Sequence, residues 1–355
     1  MTYKFLTLIS LLILNGCSKQ KLATEKDIIQ TSKNKNKNSV HFSSKGSTSI
    51  VTYLTGSAAD VSTTTSGGLL LMGGSTDVDA AIKWFLERAG GGDVVVIRSS
   101  GADGYNSYMF NMVPVNSVET IIIDSRAKAS LTSVRDKIRN AEALFIAGGD
   151  QWNYVNFWKD TPVEDAINFL INSKNVTVGG TSAGLAILGR AYYSAASGSV
   201  TSTEALSNPY HRFVTLGSND FINSPLMGNT ITDSHYGQRT RQGRHVAFMA
   251  RLMKDFGYSS VVKGIGVDEM TAVCVDASGI GKIYGTNDAY FIRNTGLGAE
   301  TCVSGTRLTW NRNAQAVSAY RIKGSTAGSG SVNLTNWTFS GGTGYYYYVN
   351  NGILY

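Results

Sequence analysis

The chain has 355 residues, 42% of them hydrophobic and 16% charged, enough for an α/β domain with a sizeable core. Its formal charge is +7, but residues 18–45 hold seven lysines against Glu25 and Asp27, and Lys4 adds another, so about +1 is left elsewhere. The charge therefore belongs to the N-terminal tract, which argues against a nucleic-acid partner.

Residues 1–17 read as a lipoprotein signal peptide. Lys4 gives a positive start, Phe5 to Leu14 is an apolar run too short to span a bilayer, and Leu14-Asn15-Gly16-Cys17 resembles a lipobox with Cys17 as the lipidation site. Residues 18–48 read as a flexible basic tether, with Lys-Asn alternation from Lys33 to Asn38. A lipid anchor in a bacterial cell envelope, periplasmic or at the cell surface, is the expected location. Ile50 to Ser66 is Ser/Thr-rich and gives no clear element.

Gly67 to Met72 predicts a buried strand that turns at Gly73-Gly74, and Asp77 to Ala89 predicts a helix with Ile82, Phe85, Leu86 and Ala89 on one face. Val94 to Ile97 and Thr120 to Ile123 predict further strands. Ala143 to Ala147 predicts another, running into Gly148-Gly149-Asp150-Gln151 and a helical pattern from Trp152 to Asn172. The next unit repeats that grammar: Val176 and Val178 lead into Gly180-Thr181-Ser182-Ala183-Gly184 and a helical pattern to Arg190. Strands alternating with helices imply a parallel sheet covered on both faces, with its site at the carboxyl edge. A serine between glycines at a strand-to-helix turn is held in a strained conformation that exposes its hydroxyl, as a nucleophile requires. The Gly148-Gly149 turn and the amide of Ala183 are candidate oxyanion-hole donors.

A serine nucleophile needs a base. Of four histidines, His41 lies in the polar tract, His211 in a Pro/Asn loop and His245 within the helical pattern Arg241 to Phe256. His235 follows the β-like run Thr230 to Thr232 and is the best placed. The orienting carboxylate is sought in Gly264 to Val275, read as one buried strand in which Glu269 shares a face with Ile265, Val267, Thr271 and Val273 while Asp268 points the other way. Glu204 and Asp233 are weaker candidates. Gly285 to Tyr355 predicts short strands, among them Val317 to Ile322 and the tyrosine run Tyr345 to Tyr348. Cys274 and Cys302 are able to pair in an oxidising compartment, although Cys274 suits a buried strand equally well. No internal repeat, metal-ligand cluster or phosphate-binding loop stands out, and neither a cofactor nor a metal is expected.

Gly148-Gly149-Asp150-Gln151, Gly180-Thr181-Ser182-Ala183-Gly184, the run Asp233 to Arg244 and Gly264 to Glu269 together resemble the cyanophycinase branch of the cyanophycinase/aspartyl dipeptidase family of serine peptidases. The similarity spans roughly residues 66–295. It implies a flavodoxin-like, class I glutamine-amidotransferase-like parallel sheet with helices on both faces. It also implies a Ser182, His235, Glu269 triad, oxyanion donors at Gly149 and Ala183, and substrate-binding roles for Gln151, Arg239, Arg241 and Arg244. The organisation expected is a peptidase domain over 49–295 and a β-rich extension over 296–355, with room for a homodimer. The substrate implied is an Asp-containing peptide or isopeptide such as β-Asp-Arg. Ser234 stands where the family often has Gln, and the helix after Gln151 is aromatic, so the substrate is left open. A catalytically silent peptide- or glycan-binding lipoprotein, or an esterase using the same three residues, are the alternatives.

Overall fold

The computed structural model describes residues 49–355. The signal segment with Cys17, the tether and His41 lie outside the described residues. The first strands are β1 (Val51–Gly56), β2 (Gly68–Met72), β3 (Asp93–Arg98), β4 (Ser117–Ile122), β5 (Ala143–Ile146) and β6 (Thr177–Thr181). After these come β7 (Ala191–Tyr193), β8 (Leu216–Ser218), β9 (Thr230–Asp233), β10 (Lys263–Val267), β11 (Thr271–Asp276), β12 (Ile280–Gly285) and β13 (Asp288–Asn294). The chain closes with β14 (Val317–Lys323), β15 (Ser329–Asn333), β16 (Thr338–Ser340), β17 (Thr343–Tyr347) and a short terminal hairpin.

Ten strands form one sheet in the order β1-β4-β3-β5-β6-β2-β11-β12-β15-β16. Its centre, from β4 to β2, is parallel, and β1 and β11 flank it in antiparallel pairing. These central strands read as continuous apolar runs because both faces are covered, one by helix Asp79–Glu87, the other by helices Thr132–Asn140 and Pro162–Asn172. A second sheet of seven strands runs β17-β14-β13-β10-β9-β7-β8, with β9 and β10 parallel. Helix Gln242–Asp255 packs its Val246, Phe248, Met249 and Leu252 into the core on this sheet.

Several sequence expectations change. The helical pattern from Trp152 to Asn172 is two helices, Gln151–Trp158 and Pro162–Asn172. Pro162 has no N–H to continue the first helix, and the Thr161 side chain caps the second by accepting from Val163 N. The single strand expected over Gly264 to Val275 is β10 and β11, which belong to different sheets. Asp268-Glu269-Met270 is the turn between them, with Met270 in the left-handed region at φ +53°. Glu269 therefore lies at a turn and not in an apolar row. Cys274 and Cys302 are free, buried in separate hydrophobic clusters, so no bridge joins them. Among the described residues no helix is long and apolar enough to cross a membrane.

The residues after 295 add to both sheets. β14 pairs with β13 from Asp288↔Lys323 to Asn294↔Val317, and β15 pairs with β12. Ala319, Ile322 and Val332 from this extension are buried. Deleting 296–355 would leave β12 and β13 as open edges over uncovered core. The truncated chain is expected to lose its cooperative thermal transition or to aggregate. A soluble truncation that melts like the full chain, followed by circular dichroism, would contradict this.

Candidate active site

The register of the parallel strands brings the glycine turns together. Met72 is opposite Thr181, and Ile146 is opposite Gly180, so Gly73-Gly74, Gly148-Gly149 and Ser182 emerge side by side at the carboxyl edge. Ser182 has φ +53° and ψ −111°, a conformation that costs roughly 1–3 kcal/mol for a residue with a Cβ. Tight packing around it explains how the turn persists. A Cβ on Gly184 would strike the Ile146 carbonyl, and one on Gly180 would sit 2.5 Å from the Gly184 carbonyl carbon.

The second sheet delivers the other two groups. Gly266 on β10 lies opposite Asp233 on β9, so the segments that follow, with His235 and Glu269, leave the sheet as neighbours. Ser182 Oγ is 2.7 Å from His235 Nε2, and His235 Nδ1 is 2.7 Å from Glu269 Oε1. An ionised carboxylate only accepts hydrogen bonds, so Nδ1 carries the proton and Nε2 is free to accept from the serine hydroxyl. Burial lowers the imidazole pKa below its ordinary 6.5, the Glu269 contact opposes this, and the positive charges of Arg239 and Arg241 reinforce it. The histidine is thereby neutral near pH 7, the form in which Nε2 is able to accept a proton.

Met72, Gly73 and Gly74 have a role the sequence reading did not assign. Ser182 N donates to Met72 O at 3.1 Å, His235 N to Gly73 O at 2.9 Å and Met270 N to Gly74 O at 3.0 Å. Gly74, at φ +105°, lies against the serine and histidine: a Cβ there would be 2.6 Å from His235 Nε2 and 3.1 Å from Ser182 Cβ. The available signal was the strand–Gly–Gly–helix order that Gly148-Gly149 also shows. Gln238 Oε1 accepts from Glu269 N at 2.9 Å, and Asp268 Oδ1 accepts from Gly237 N at 2.6 Å, tying the histidine loop to the turn that carries Glu269. Tyr154, fully buried, is 2.8 Å from Ala147 O and 3.0 Å from Gly148 O. In a trans peptide the Gly148 carbonyl and the Gly149 N–H point oppositely, so this bond turns the Gly149 amide away from the buried phenol. Gly148 itself packs on Ser182, with a built Cβ at 3.5 Å from Ser182 Cβ, and Ala183 is buried at the next position.

The remaining candidates separate. Arg239 is exposed beside the histidine loop and makes no ion pair among the described residues, whereas Arg241 donates to Ser234 O at 2.8 Å and Asp233 Oδ1 at 3.2 Å. Gln151 opens its helix and donates to Tyr193 O at 2.6 Å. Arg244 is engaged inside the protein. It is buried, grips both oxygens of Asp233 at 2.6 and 2.8 Å, and lies 5.0 Å from the centre of the Tyr193 ring. Burial alone would raise the Asp233 pKa, but Arg244 and Arg241 outweigh it and hold the carboxyl below its ordinary range. Asp233 is thus an arginine anchor and not the orienting carboxylate. Glu204 forms a capping box with Thr201 at the start of helix Ser202–Ser207. His245 is fully buried between Tyr236 OH and Ile231 O, and burial lowers its pKa to about 4. Among the described residues no group of His, Cys, Asp or Glu is arranged to hold a metal ion.

The sequence profile of peptidase family S51 matches residues 69–283, more than half of the chain. The chain belongs to peptidase family S51. As a member it is a serine-type peptidase, a hydrolase. It is 25% identical over 255 residues to a cyanophycinase of Trichormus variabilis, covering 69% of this chain and 76% of the relative. With a cyanophycinase of Geminocystis herdmanii the identity is 24% over 258 residues, 70% of this chain and 84% of the relative. A peptidase from an acI-B1 Actinobacterium superposes with a TM-score of 0.47 at 14% identity, over 68% of this chain and 98% of its own.

Replacing Gly74 should damage this S51 site without unfolding the protein. Gly74→Ala is expected to lower kcat by at least a hundredfold while far-UV circular dichroism is unchanged, because the new methyl displaces the imidazole. Activity within threefold of wild type would show that the turn does not set the serine–histidine contact.

Proposed function

We propose that Ser182 is the nucleophile, His235 the general base and acid, and Glu269 the carboxylate that orients the imidazole. The observation that carries the reading is the unbroken line Ser182 Oγ, His235, Glu269, with both contacts at 2.7 Å. Ser182 Oγ attacks the amide carbonyl carbon as its proton moves to Nε2. The oxyanion is stabilised by the amides of Gly149 and Ala183, the first oriented through Tyr154. Collapse breaks the C–N bond, the proton passes from Nε2 to the leaving nitrogen, and water releases the acyl group by the same steps.

The bond cleaved is proposed to be an Asp-containing peptide or isopeptide bond of the β-Asp-Arg kind. The cyanophycinase relatives support it, and so does the chain's own charge. Arg239 is exposed, and with Arg241 it places positive charge close enough to His235 to depress its pKa. A substrate carboxylate is favoured there. The expected site of action is the bacterial envelope, through lipidation of Cys17; this rests on the sequence of residues 1–17.

Ser182→Ala and His235→Ala should each lower kcat on cyanophycin or a β-Asp dipeptide by about 10⁶-fold, and Glu269→Gln by about 10⁴-fold. His245→Ala should leave the chemistry in place. An active Ser182→Ala protein would refute the assignment. The base must be neutral, so the rate falls as pH drops through the lowered pKa of His235, and the acidic limb of kcat/KM is expected below pH 6.5. A limb centred above 7 would contradict that sign.

Cys17→Ala should move the protein from the membrane fraction to the soluble fraction. Persistent sedimentation with membranes would exclude the lipid anchor.

A further inference from the structure

Next to the Gly73-Gly74 turn the surface opens into a hollow. Thr76, Asp77 and Asp79, following β2, line one side; Arg98, Tyr105 and Tyr108, at and after the end of β3, line the other. Asp77 is half-buried, and among the described residues its carboxyl makes one hydrogen bond, a long one of 3.3 Å from Tyr105 OH. Asp79 accepts from Tyr108 OH at 2.7 Å. Neither carboxylate joins an ion pair among the described residues. Among the described residues Arg98 is the one cation lining the hollow, and its guanidinium is engaged by the carbonyls of Ser100 at 2.5 Å and Ala102 at 3.0 Å.

Partly desolvating a carboxylate without a counter-charge is unfavourable. Burial pushes the Asp77 pKa up to about 6, the Tyr105 hydrogen bond opposes the rise, and the negative charge of Asp79 adds to it. The charged and titratable groups facing Asp77 are thus Asp79, Tyr105, Tyr108 and Arg98, and none of them neutralises it.

The position of the hollow gives this a use. Gly74 abuts His235 Nε2, the nitrogen that must hand its proton to the departing amine, and Asp77 follows Gly74 by three residues, at most about 11 Å of chain. One amino-acid residue with an extended side chain spans that gap. Arg239 and Arg241 supply positive charge near His235, whereas the hollow after Gly74 supplies negative charge.

We propose that Asp77 determines leaving-group specificity by acting as counter-ion to a guanidinium or ammonium on the residue released from Ser182. This rests on the reading of Ser182 as nucleophile. Binding of such a cation restores the charge balance that Asp77 lacks in the free protein and drives off its proton.

Two measurements test it. In steady-state hydrolysis of β-Asp-Arg, β-Asp-Lys and β-Asp-Leu, Asp77→Asn should raise KM at least tenfold for the first two with kcat within threefold. For β-Asp-Leu, kcat/KM should stay within twofold, and Asp77→Glu should restore most of the lost affinity. An equal loss on all three substrates would mean that Asp77 only supports the fold, and would overturn the proposal. Calorimetric titration of free L-arginine into Ser182→Ala protein requires no turnover. The Asp77→Asn change in that background should weaken arginine binding at least tenfold. It should also abolish the proton release on binding expected near pH 6. Arginine binding that is absent, or indifferent to Asp77→Asn, overturns the subsite. Arginine binding through Asp77 in a wild-type protein that hydrolyses none of the isopeptides and takes no fluorophosphonate on Ser182 would instead refute the nucleophile, leaving a cation site with no leaving-group role.

Discussion

Three consecutive backbone carbonyls at the end of one strand organise the site. Met72, Gly73 and Gly74 accept in turn from the amides of Ser182, His235 and Met270, which belong to three separate connections in the chain. Backbone hydrogen bonds have little positional freedom, so the serine, the histidine and the turn bearing Glu269 are fixed to one reference. This matters because Ser182 and His235 both sit at positive φ, at 53° and 45°, where a side chain stays only if its surroundings hold it. A bulkier residue at Gly74 would intrude on the serine–histidine contact, so the same turn requires that the position have no side chain.

The histidine loop has a second anchor behind it. Asp233, at the end of β9, is held by Arg244 and Arg241, and Arg241 also takes Ser234 O. Desolvating such a group is costly, and removing one partner of a buried pair typically costs about 3–5 kcal/mol. The arginines therefore have two distinct effects. Arg244 fixes the strand end from within the core, while Arg241 and the exposed Arg239 add positive potential that helps to keep the imidazole neutral.

Much of the layout was legible because it is local. Strand–glycine–helix units, the serine between glycines and the histidine after a short strand are written in neighbouring residues. What was not legible depends on long-range pairing. The alternation from Ile265 to Val275 has the period of one strand, but a positive-φ turn at Met270 sends the chain from one sheet to the other. The position of Glu269 beside His235 therefore owes nothing to an apolar row. Arg244 follows the histidine in sequence as Arg239 does, and only burial separates an internal ion pair from a surface charge. Gly73-Gly74 carried the same local signature as Gly148-Gly149, but the bonds accepted by Met72, Gly73 and Gly74 reach residues more than a hundred positions away. Pro162 is a local signal for the break after Trp158, and the expectation of one helix from Trp152 to Asn172 passed over it.

The central claim is that the His235–Glu269 pair activates Ser182, and covalent labelling tests it most directly. Intact-protein mass spectrometry after brief treatment with a fluorophosphonate should show one adduct on the wild-type protein. Peptide mapping should place it on Ser182, and labelling should be slowed strongly in Glu269→Gln protein. No adduct, an adduct on another serine, or labelling of Ser182 at the same rate in Glu269→Gln would contradict the account.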